Sequence, residues 1–397
     1  MNMAGREVVI VSGTRTAVGT FGGSLKDVPP TALGAAVAKE ALQRADVAPD
    51  DVGHVVFGNV IHTEPKDMYL SRVAAIDAGI PVETPALTLN RLCGSGLQAI
   101  VSAAQSIMLG DADVAVAGGA ESMSRAPHAD LTSRFGQKMG DIKTIDMMIG
   151  ALSDPFGNGH MGVTAENVAR EWQIDRQTQD TFAVESHRRA AHAISEGRFK
   201  DQILPVEVRV KRDMVPFDTD EHVRPDASLE DMAGLRPVFQ KDGSVTAGNA
   251  SGINDGAAAI VLMDAETAER KGKKPLARIL GYGHAGVRPE TMGVGPIPAV
   301  RNLLDKTGLA IEDFDVVESN EAFASQACAV TRELGMDPEK VNPNGGAIAL
   351  GHPVGATGAI ISVKALYELQ RTGGGKALMT MCIGGGQGIA VAVERLN

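Results

Sequence analysis

Cysteine is scarce. The 397 residues hold three, Cys93, Cys328 and Cys382, with no C-x-x-C pair. That excludes a disulfide framework and suits a reducing compartment. Aromatic residues make up 4% of the chain, while glycine reaches 46 positions, so helices and sheets are expected to pack closely through small residues. Positive charge is also short. The net charge of −11 argues against nucleic acid as the main partner, though a local basic patch can still hold a small anionic substrate. No H-E-x-x-H, EF-hand, P-loop or metal-like Cys/His spacing occurs. No apolar run is read as approaching membrane-spanning length, so no membrane partner is expected. Met1 to Arg6 lead straight into a strand without a signal or transit pattern, and Glu394 to Asn397 carry no targeting tripeptide. A cytoplasmic protein is the expectation.

What is present centres on Asn90-Arg-Leu-Cys93-Gly-Ser-Gly96-Leu-Gln-Ala-Ile100. An apolar segment, Pro85 to Leu89, turns through two glycines into a helix whose Leu97, Ile100, Val101, Ala104, Ile107 and Met108 repeat at helical spacing. Cys93 then stands at a helix N-terminus. Unpaired N–H groups and the helix dipole favour an anion there, and the thiolate is the nucleophile. Gly94 and Gly96 clear the approach to its sulfur. Two other readings stay open at this point: an inert buried cysteine, and a dinucleotide fingerprint, since Gly94 to Ala99 fits G-x-G-x-x-A with Asp111, Asp113 and Glu121 downstream.

The length predicts two or three domains. Strands are expected at 7–12, 55–57, 85–89 and 112–117, alternating with helices at 31–45, 70–78 and 94–109. Such alternation implies an α/β fold with a largely parallel sheet covered on both faces. From about Ser122 to 253 the texture changes to a loop-rich inserted lobe. It carries a well-marked helix from Asp175, an N-cap, to Glu196. His187 and His192 on that helix read as solvated. The last third repeats the first: 298–307 answers the helix at 30–45, Ile311 to Val317 echoes Pro49 to Val56, and a helix at 355–369 pairs with 94–109. The expected division is 1–121 with 254–274 as one half, 122–253 as the inserted lobe, and 275–397 as the second half.

The duplication sets His352, in a Gly-rich loop from Gly345, opposite Cys93. A cysteine beside an imidazole is an activated nucleophile pair. Cys382 ends a strand just before Gly384. Asn320 and Phe323 follow another strand end, where α/β sheets bind ligands. Cys328 reads as helix core.

With these residues assembled, the chain resembles the thiolases over nearly its whole length, and within them the bacterial biosynthetic acetyl-CoA acetyltransferases and β-ketothiolases. The motifs are Asn90-x-x-Cys93-Gly-Ser-Gly, Gly118-Gly119-Ala-Glu-Ser-Met-Ser, His160-Met161-Gly, Gly248-Asn-Ala-Ser251-Gly, Asn320-Glu-Ala-Phe323, Gly351-His352-Pro353 and Cys382-Ile-Gly384-Gly. The resemblance implies a five-layer αβαβα fold with duplicated halves. It implies a reversible condensation of two acetyl-CoA molecules, or of acetyl-CoA with a short acyl-CoA, to acetoacetyl-CoA or another short 3-ketoacyl-CoA plus CoA. Cys93 would carry the acetyl group, His352 take its proton, and Cys382 remove a proton from the second acetyl-CoA. Asn320 would place a water that joins His352 in one oxyanion site. The N–H groups of Cys93 and Gly384 would form the other. His160, Met161 and Ser251 would line the pantetheine or thioester, Arg224 would lie near the adenine, and Leu152, Met161, Met292 and Phe323 would wall the acyl pocket. A homotetramer is implied, with no metal and no cofactor beyond the coenzyme A thioester substrates. The overall run is most similar to β-ketothiolases that supply polyhydroxyalkanoate synthesis. Alternatives are a degradative 3-ketoacyl-CoA thiolase, a decarboxylating condensing enzyme and a non-catalytic acyl-CoA or lipid carrier on the same fold. Cys382 in the base position speaks against the decarboxylating type, and the presence of Cys93, His352 and Cys382 speaks against the carrier.

Overall fold

The computed structural model describes residues 5–396; the expectations for Met1 to Ala4 and for Asn397 lie outside these. The main strands are β1 (Val8–Thr16), β2 (His54–Gly58), β3 (Ala86–Leu89), β4 (Val114–Ser122), β5 (Asn254–Asp264), β6 (Ala277–Gly286), β7 (Val316–Ser319), β8 (Lys376–Ile383) and β9 (Gln387–Arg395). The main helices are α1 (Pro30–Ala45), α2 (Ser95–Leu109), α3 (Met161–Glu171), α4 (Arg176–Ser195), α5 (Pro296–Thr307), α6 (Ala324–Glu333) and α7 (Thr357–Thr372).

The strands run in the order β7-β8-β9-β6-β1-β5-β4-β2-β3. The β1–β6 seam is short, two residue pairs, Val9 with Arg278 and Ile10 with Ala277. On either side of it the order is the same: first strand, last strand, next-to-last, second. In the second half Val341 bridges Val317 in parallel, where β3 stands beside β2 in the first. The duplication read from the sequence is therefore a duplication of topology.

The expectation of a largely parallel sheet is wrong. Strand β2 runs parallel to β3 and β4, and β7 to β8. However, β5 is antiparallel to β1 and β4, and β9 is antiparallel to β6 and β8. Antiparallel neighbours need no crossover helix. The stop read at Gly384 to Gly386 is a hairpin turn, and Gly385 and Gly386 take φ of 83° and 88°, which L side chains resist.

Three apolar cores lie between five layers. The central core joins Leu97, Ile100 and Ile107 of α2 with Ile360, Val363 and Leu366 of α7, between Val56 and Ala115 on one side and Met379 and Val391 on the other. Outside, Leu33, Val37 and Leu42 of α1 cover Val55, Val114 and Val261, and Val300 and Leu303 of α5 cover Leu378 and Ala390. The run Leu92–Leu109 is in fact long and apolar enough to cross a membrane by composition. Its apolarity serves the central layer instead, because α2 has a sheet on both sides.

The two central helices touch through backbone. A Cβ at Gly358 would lie 2.2 Å from the Leu97 nitrogen, and one at Gly96 would lie 2.7 Å from the Ala359 nitrogen. Between β4 and β5 the chain forms α3, α4 and two small hairpins. This region is tied to β1 by a buried pair, Arg15 to Asp220 at 2.7 and 2.9 Å. Asp175 caps α4 by accepting from the Thr178 N–H, as expected.

Gly358→Ala is expected to lower the urea midpoint by the equivalent of about 1–3 kcal/mol or more, the usual scale of overpacking. Gly150→Ala, where a Cβ meets nothing within 4 Å, is expected to be neutral or slightly stabilising. Equilibrium unfolding of the two variants side by side checks both.

Candidate active site

Cys93 sits in a turn that the sequence motif builds. Leu92 takes φ of 45°, a left-handed conformation costing a residue with a Cβ about 1–2 kcal/mol. Three contacts hold it. The Leu92 N–H donates to Asn90 Oδ1 at 2.8 Å, the Arg91 N–H to Ser95 Oγ at 2.8 Å, and the Ser95 hydroxyl to the Leu92 carbonyl at 2.6 Å. Asn90 and Ser95 thus fix the bend that turns Cys93 inward at the start of α2. Strain of this kind clusters at functional sites.

The dinucleotide reading fails here. A Cβ at Gly94 would run into Ile383 at 2.5 Å, and Gly96 lies against α7. The chain's own second half occupies the space where a pyrophosphate would lie.

Opposite stands His352, 5% exposed. Its backbone N–H donates to Asn254 Oδ1 at 2.9 Å. Its Nδ1 lies 2.6 Å from Thr357 Oγ1, whose own proton goes to the Pro353 carbonyl at 2.9 Å. The threonine oxygen therefore accepts, Nδ1 carries the imidazole proton, and Nε2 keeps a free lone pair. Asn320 Nδ2 approaches that Nε2 at 3.4 Å. Asn320 Oδ1 is buried without a protein partner. Burial lowers the imidazole from 6.5 to about 4, so the neutral form is the resting one.

Cys382 is fully buried near the end of β8, in a cluster with Met161, Met292 and Phe323. Burial, and then the charge of Cys93, push its thiol strongly upward. Cys93 is also raised by burial, but the N–H groups of Gly384 and of Cys93 itself bond its sulfur and pull the other way. The two thiols are close enough for the charge of Cys93 to act on Cys382, and Val354, two residues past His352, packs in the cluster that Cys93 touches.

The remaining predicted residues fall into two groups. Met161 contacts Gly384, since a Cβ there would meet its sulfur at 3.4 Å. His160 stacks on Phe239 at 4.8 Å, and Phe239 meets Phe323 edge-on at 6.3 Å. The Ser251 N–H donates to the Ala322 carbonyl at 3.0 Å, which lays Ser251 beside Phe323. Leu152 packs with Cys93, Ile61 and Val354. Arg224 stands apart with an exposed side chain, its N–H donating to His187 Nδ1 at 3.1 Å. His187 is therefore not solvated as expected but 3% exposed, because it serves the Arg224 segment, and burial lowers its imidazole to about 4.

Comparison with known proteins gives the same picture. The sequence model of the thiolase N-terminal domain matches residues 8–266, and that of the thiolase C-terminal domain matches residues 273–395. The chain belongs to the thiolase family. It is 66% identical to the beta-ketothiolase BktB of Cupriavidus necator over 98% of this chain and 100% of that protein. It is 52% identical to an acetyl-CoA acetyltransferase of Chromobacterium violaceum over 98% and 100% of the two chains. Among solved structures, the Bacillus anthracis acetyl-CoA acetyltransferase superposes with a TM-score of 0.97 at 47% identity over 100% of both chains. Human mitochondrial 3-ketoacyl-CoA thiolase in complex with CoA gives 0.95 at 46% identity over 98% of both.

Sequence reasoning missed several residues of this thiolase that hold the site in place. Thr357 sets the His352 tautomer, Asn254 anchors the His352 backbone, and Phe239 carries His160. Thr357 and Asn254 had a signal: each lies inside a Gly-rich motif, five residues after His352 and three after Ser251.

Neutral imidazole is the proton-accepting form, and it persists down to about pH 4. The acid limb of the Cys93 acetylation rate is therefore expected below pH 5, displaced from the ordinary histidine value of 6.5. Rapid-quench mass spectrometry of the acyl-enzyme across pH 4.5 to 8 checks this; a midpoint near 6.5 would contradict it.

Proposed function

We propose that this thiolase is an acetyl-CoA C-acetyltransferase that condenses two acetyl-CoA molecules, or acetyl-CoA with a short acyl-CoA, and runs reversibly. One observation carries the reading. A cysteine with the Gly384 N–H beside its sulfur lies close to a second, deeply buried thiol, and it packs against Val354 of the loop that carries a neutral imidazole. A carrier needs none of these, and a condensing enzyme that decarboxylates needs no second thiol.

In the first half-reaction His352 Nε2 takes the Cys93 proton, and the thiolate attacks the acetyl-CoA carbonyl. The carbonyl oxygen gains charge between the N–H groups of Cys93 and Gly384, the donors that hold the sulfur at rest. One such donor is typically worth about 10²–10³ in rate. The C–S bond to CoA breaks, and His352 returns the proton to the CoA sulfur. Acetylation also removes the Cys93 charge that opposes ionisation of Cys382. In the second half-reaction Cys382 passes its proton to His352 Nε2, and the resulting thiolate takes a proton from the methyl carbon of another acetyl-CoA. That thioester oxygen accepts from the proton now on His352 Nε2 and from a water on the free Oδ1 of Asn320. The carbanion attacks the acetyl-Cys93 carbonyl, the C–S bond to Cys93 breaks, acetoacetyl-CoA forms, and Cys93 recovers its proton from His352, leaving Cys382 a thiol again.

The acyl pocket lies among Met161, Met292 and Phe323, with Leu152 on the Cys93 side. Methionines adapt their shape, which favours acceptance of several short chains. The lobe at 122–253 would hold coenzyme A, with His160 and Ser251 along the pantetheine and Arg224 toward the adenine. Supply of short 3-ketoacyl-CoA for polyhydroxyalkanoate synthesis is the role that the resemblance of the sequence favours.

Two surfaces favour a homotetramer. Strand β3 is an uncovered edge carrying exposed Leu87, beside exposed Met68, Tyr69 and Val82. The hairpin arm between 128 and 146 exposes Leu131, Phe135, Met139 and Ile142. Analytical ultracentrifugation is expected to give a four-chain mass for the wild type and a two-chain mass for Leu131→Asp/Phe135→Asp. A monomeric wild type would refute the assembly.

The activity is tested by intact-protein mass after brief exposure to acetyl-CoA. Wild type and Cys382→Ala are expected to gain one acetyl group that free CoA removes, and Cys93→Ser none. A folded wild type without adduct would overturn the reading and bring the carrier forward.

A further inference from the structure

Glu121 belongs to the Gly118-Gly119-Ala-Glu-Ser-Met-Ser motif, and the mechanism above gives it no part. It stands near the end of β4, 0% exposed. Its Oε1 accepts from Asn59 Nδ2 and from the Ile61 N–H, each at 3.1 Å. Its Oε2 accepts from the Val60 N–H at 3.0 Å and from the Gly355 N–H at 2.8 Å. Every one of these partners is a donor. Burial pushes this carboxyl up to about 8, against the downward pull of the N–H groups of Ile61, Val60 and Gly355. With a donor on every side the ionised form fits the ring, and an amide of the same size would set its NH₂ against N–H groups.

The four donors come from two places. Asn59, Val60 and Ile61 follow β2 in the first half, and Ile61 packs in the cluster that touches Cys93. Gly355 lies in the second half, three residues past His352 and two before α7. Around it the first half forms a cradle without side chains. A Cβ at Gly119 would lie 2.2 Å from the Gly355 carbonyl oxygen, one at Gly58 would lie 2.9 Å from it, and one at Gly355 would lie 2.4 Å from Glu121 Oε2. Beside the Asn254 bond to the His352 N–H, the carboxylate is the polar contact that holds Gly355 of the second half's loop in this cradle.

We propose that Glu121 is a positioning residue for acyl transfer: by clamping Gly355 to the segment after β2, it fixes the His352 loop relative to Cys93. Proton transfer and attack demand placement within a fraction of an ångström, and a shift of about 1 Å is able to cost roughly 10²-fold in rate. The inference rests on the reading of Cys93 as the acyl carrier.

The test is single-turnover acetylation of Glu121→Gln by acetyl-CoA, followed by rapid quench and intact mass, with steady-state kinetics alongside. The expected result is full acetyl stoichiometry, a rate constant lower by about 10- to 100-fold, and a KM for acetyl-CoA within about twofold of wild type. A wild-type rate constant would overturn the proposal. So would reduced stoichiometry at an unchanged rate constant, which marks a purely structural role that only lowers the share of folded sites. Should Glu121→Gln not fold, Glu121→Asp keeps the charge but falls one methylene short of Gly355. It is expected to acetylate more slowly than wild type, and a wild-type rate from it would equally overturn the clamp. Wild type run in parallel separates this from the underlying reading: no adduct on wild type refutes Cys93 as carrier, whereas a normal wild type with a normal variant refutes only the clamp.

Discussion

The fold depends on two backbones meeting without side chains between them. Helices α2 and α7 cross where Gly96 faces Ala359 and Gly358 faces Leu97, each at a distance no Cβ tolerates. The contact is reciprocal because the halves are copies, and it brings both helix N-termini to one point. A cysteine just before one helix and a histidine just before the other then become neighbours through topology alone. The high glycine and alanine content follows from the same demand, since two sheets with two helices between them leave room only for small residues at the crossing.

Around that crossing, each half supplies what the other lacks. The first half brings the bent Cys93 turn, and the second brings the imidazole, the amide of Asn320 and the hairpin carrying Cys382 and the Gly384 N–H. The tautomer of His352 is set inside its own half by Thr357, while its backbone is held by Asn254 from β5. The site is thus a joint between two folded units, and much of its buried polar chemistry aligns that joint.

Much of this was legible in the sequence because the signals are local. Cys93 before a helical repeat, His352 in its Gly-rich loop, and the paired patterns of the two halves all lie within short windows. What was not legible depends on distant partners. His187 sits among arginines on a helix and reads as solvated until Arg224, 37 residues on, is seen to donate to it. The antiparallel strands β5, β6 and β9 were hidden because short apolar runs carry no direction, and the turn at Gly384 to Gly386 reads equally well as a stop. The run Leu92–Leu109 was underestimated as an apolar segment because its small residues dilute its appearance. Thr357 and Glu121 lie in legible motifs, but their roles are set by which atoms the fold brings to them.

One property of the site follows from where its donors come from. The groups around the Cys93 sulfur are backbone N–H dipoles and a neutral imidazole, all sealed inside the protein, whereas the guanidinium of Arg224 lies in water. Mobile ions screen exposed charges within about 8 Å at physiological ionic strength and scarcely reach buried dipoles. On the proposed roles of these residues, salt acts on the capture of an anionic substrate at the rim and leaves the bond-making steps alone. In kinetic language, ionic strength separates encounter from chemistry in this enzyme.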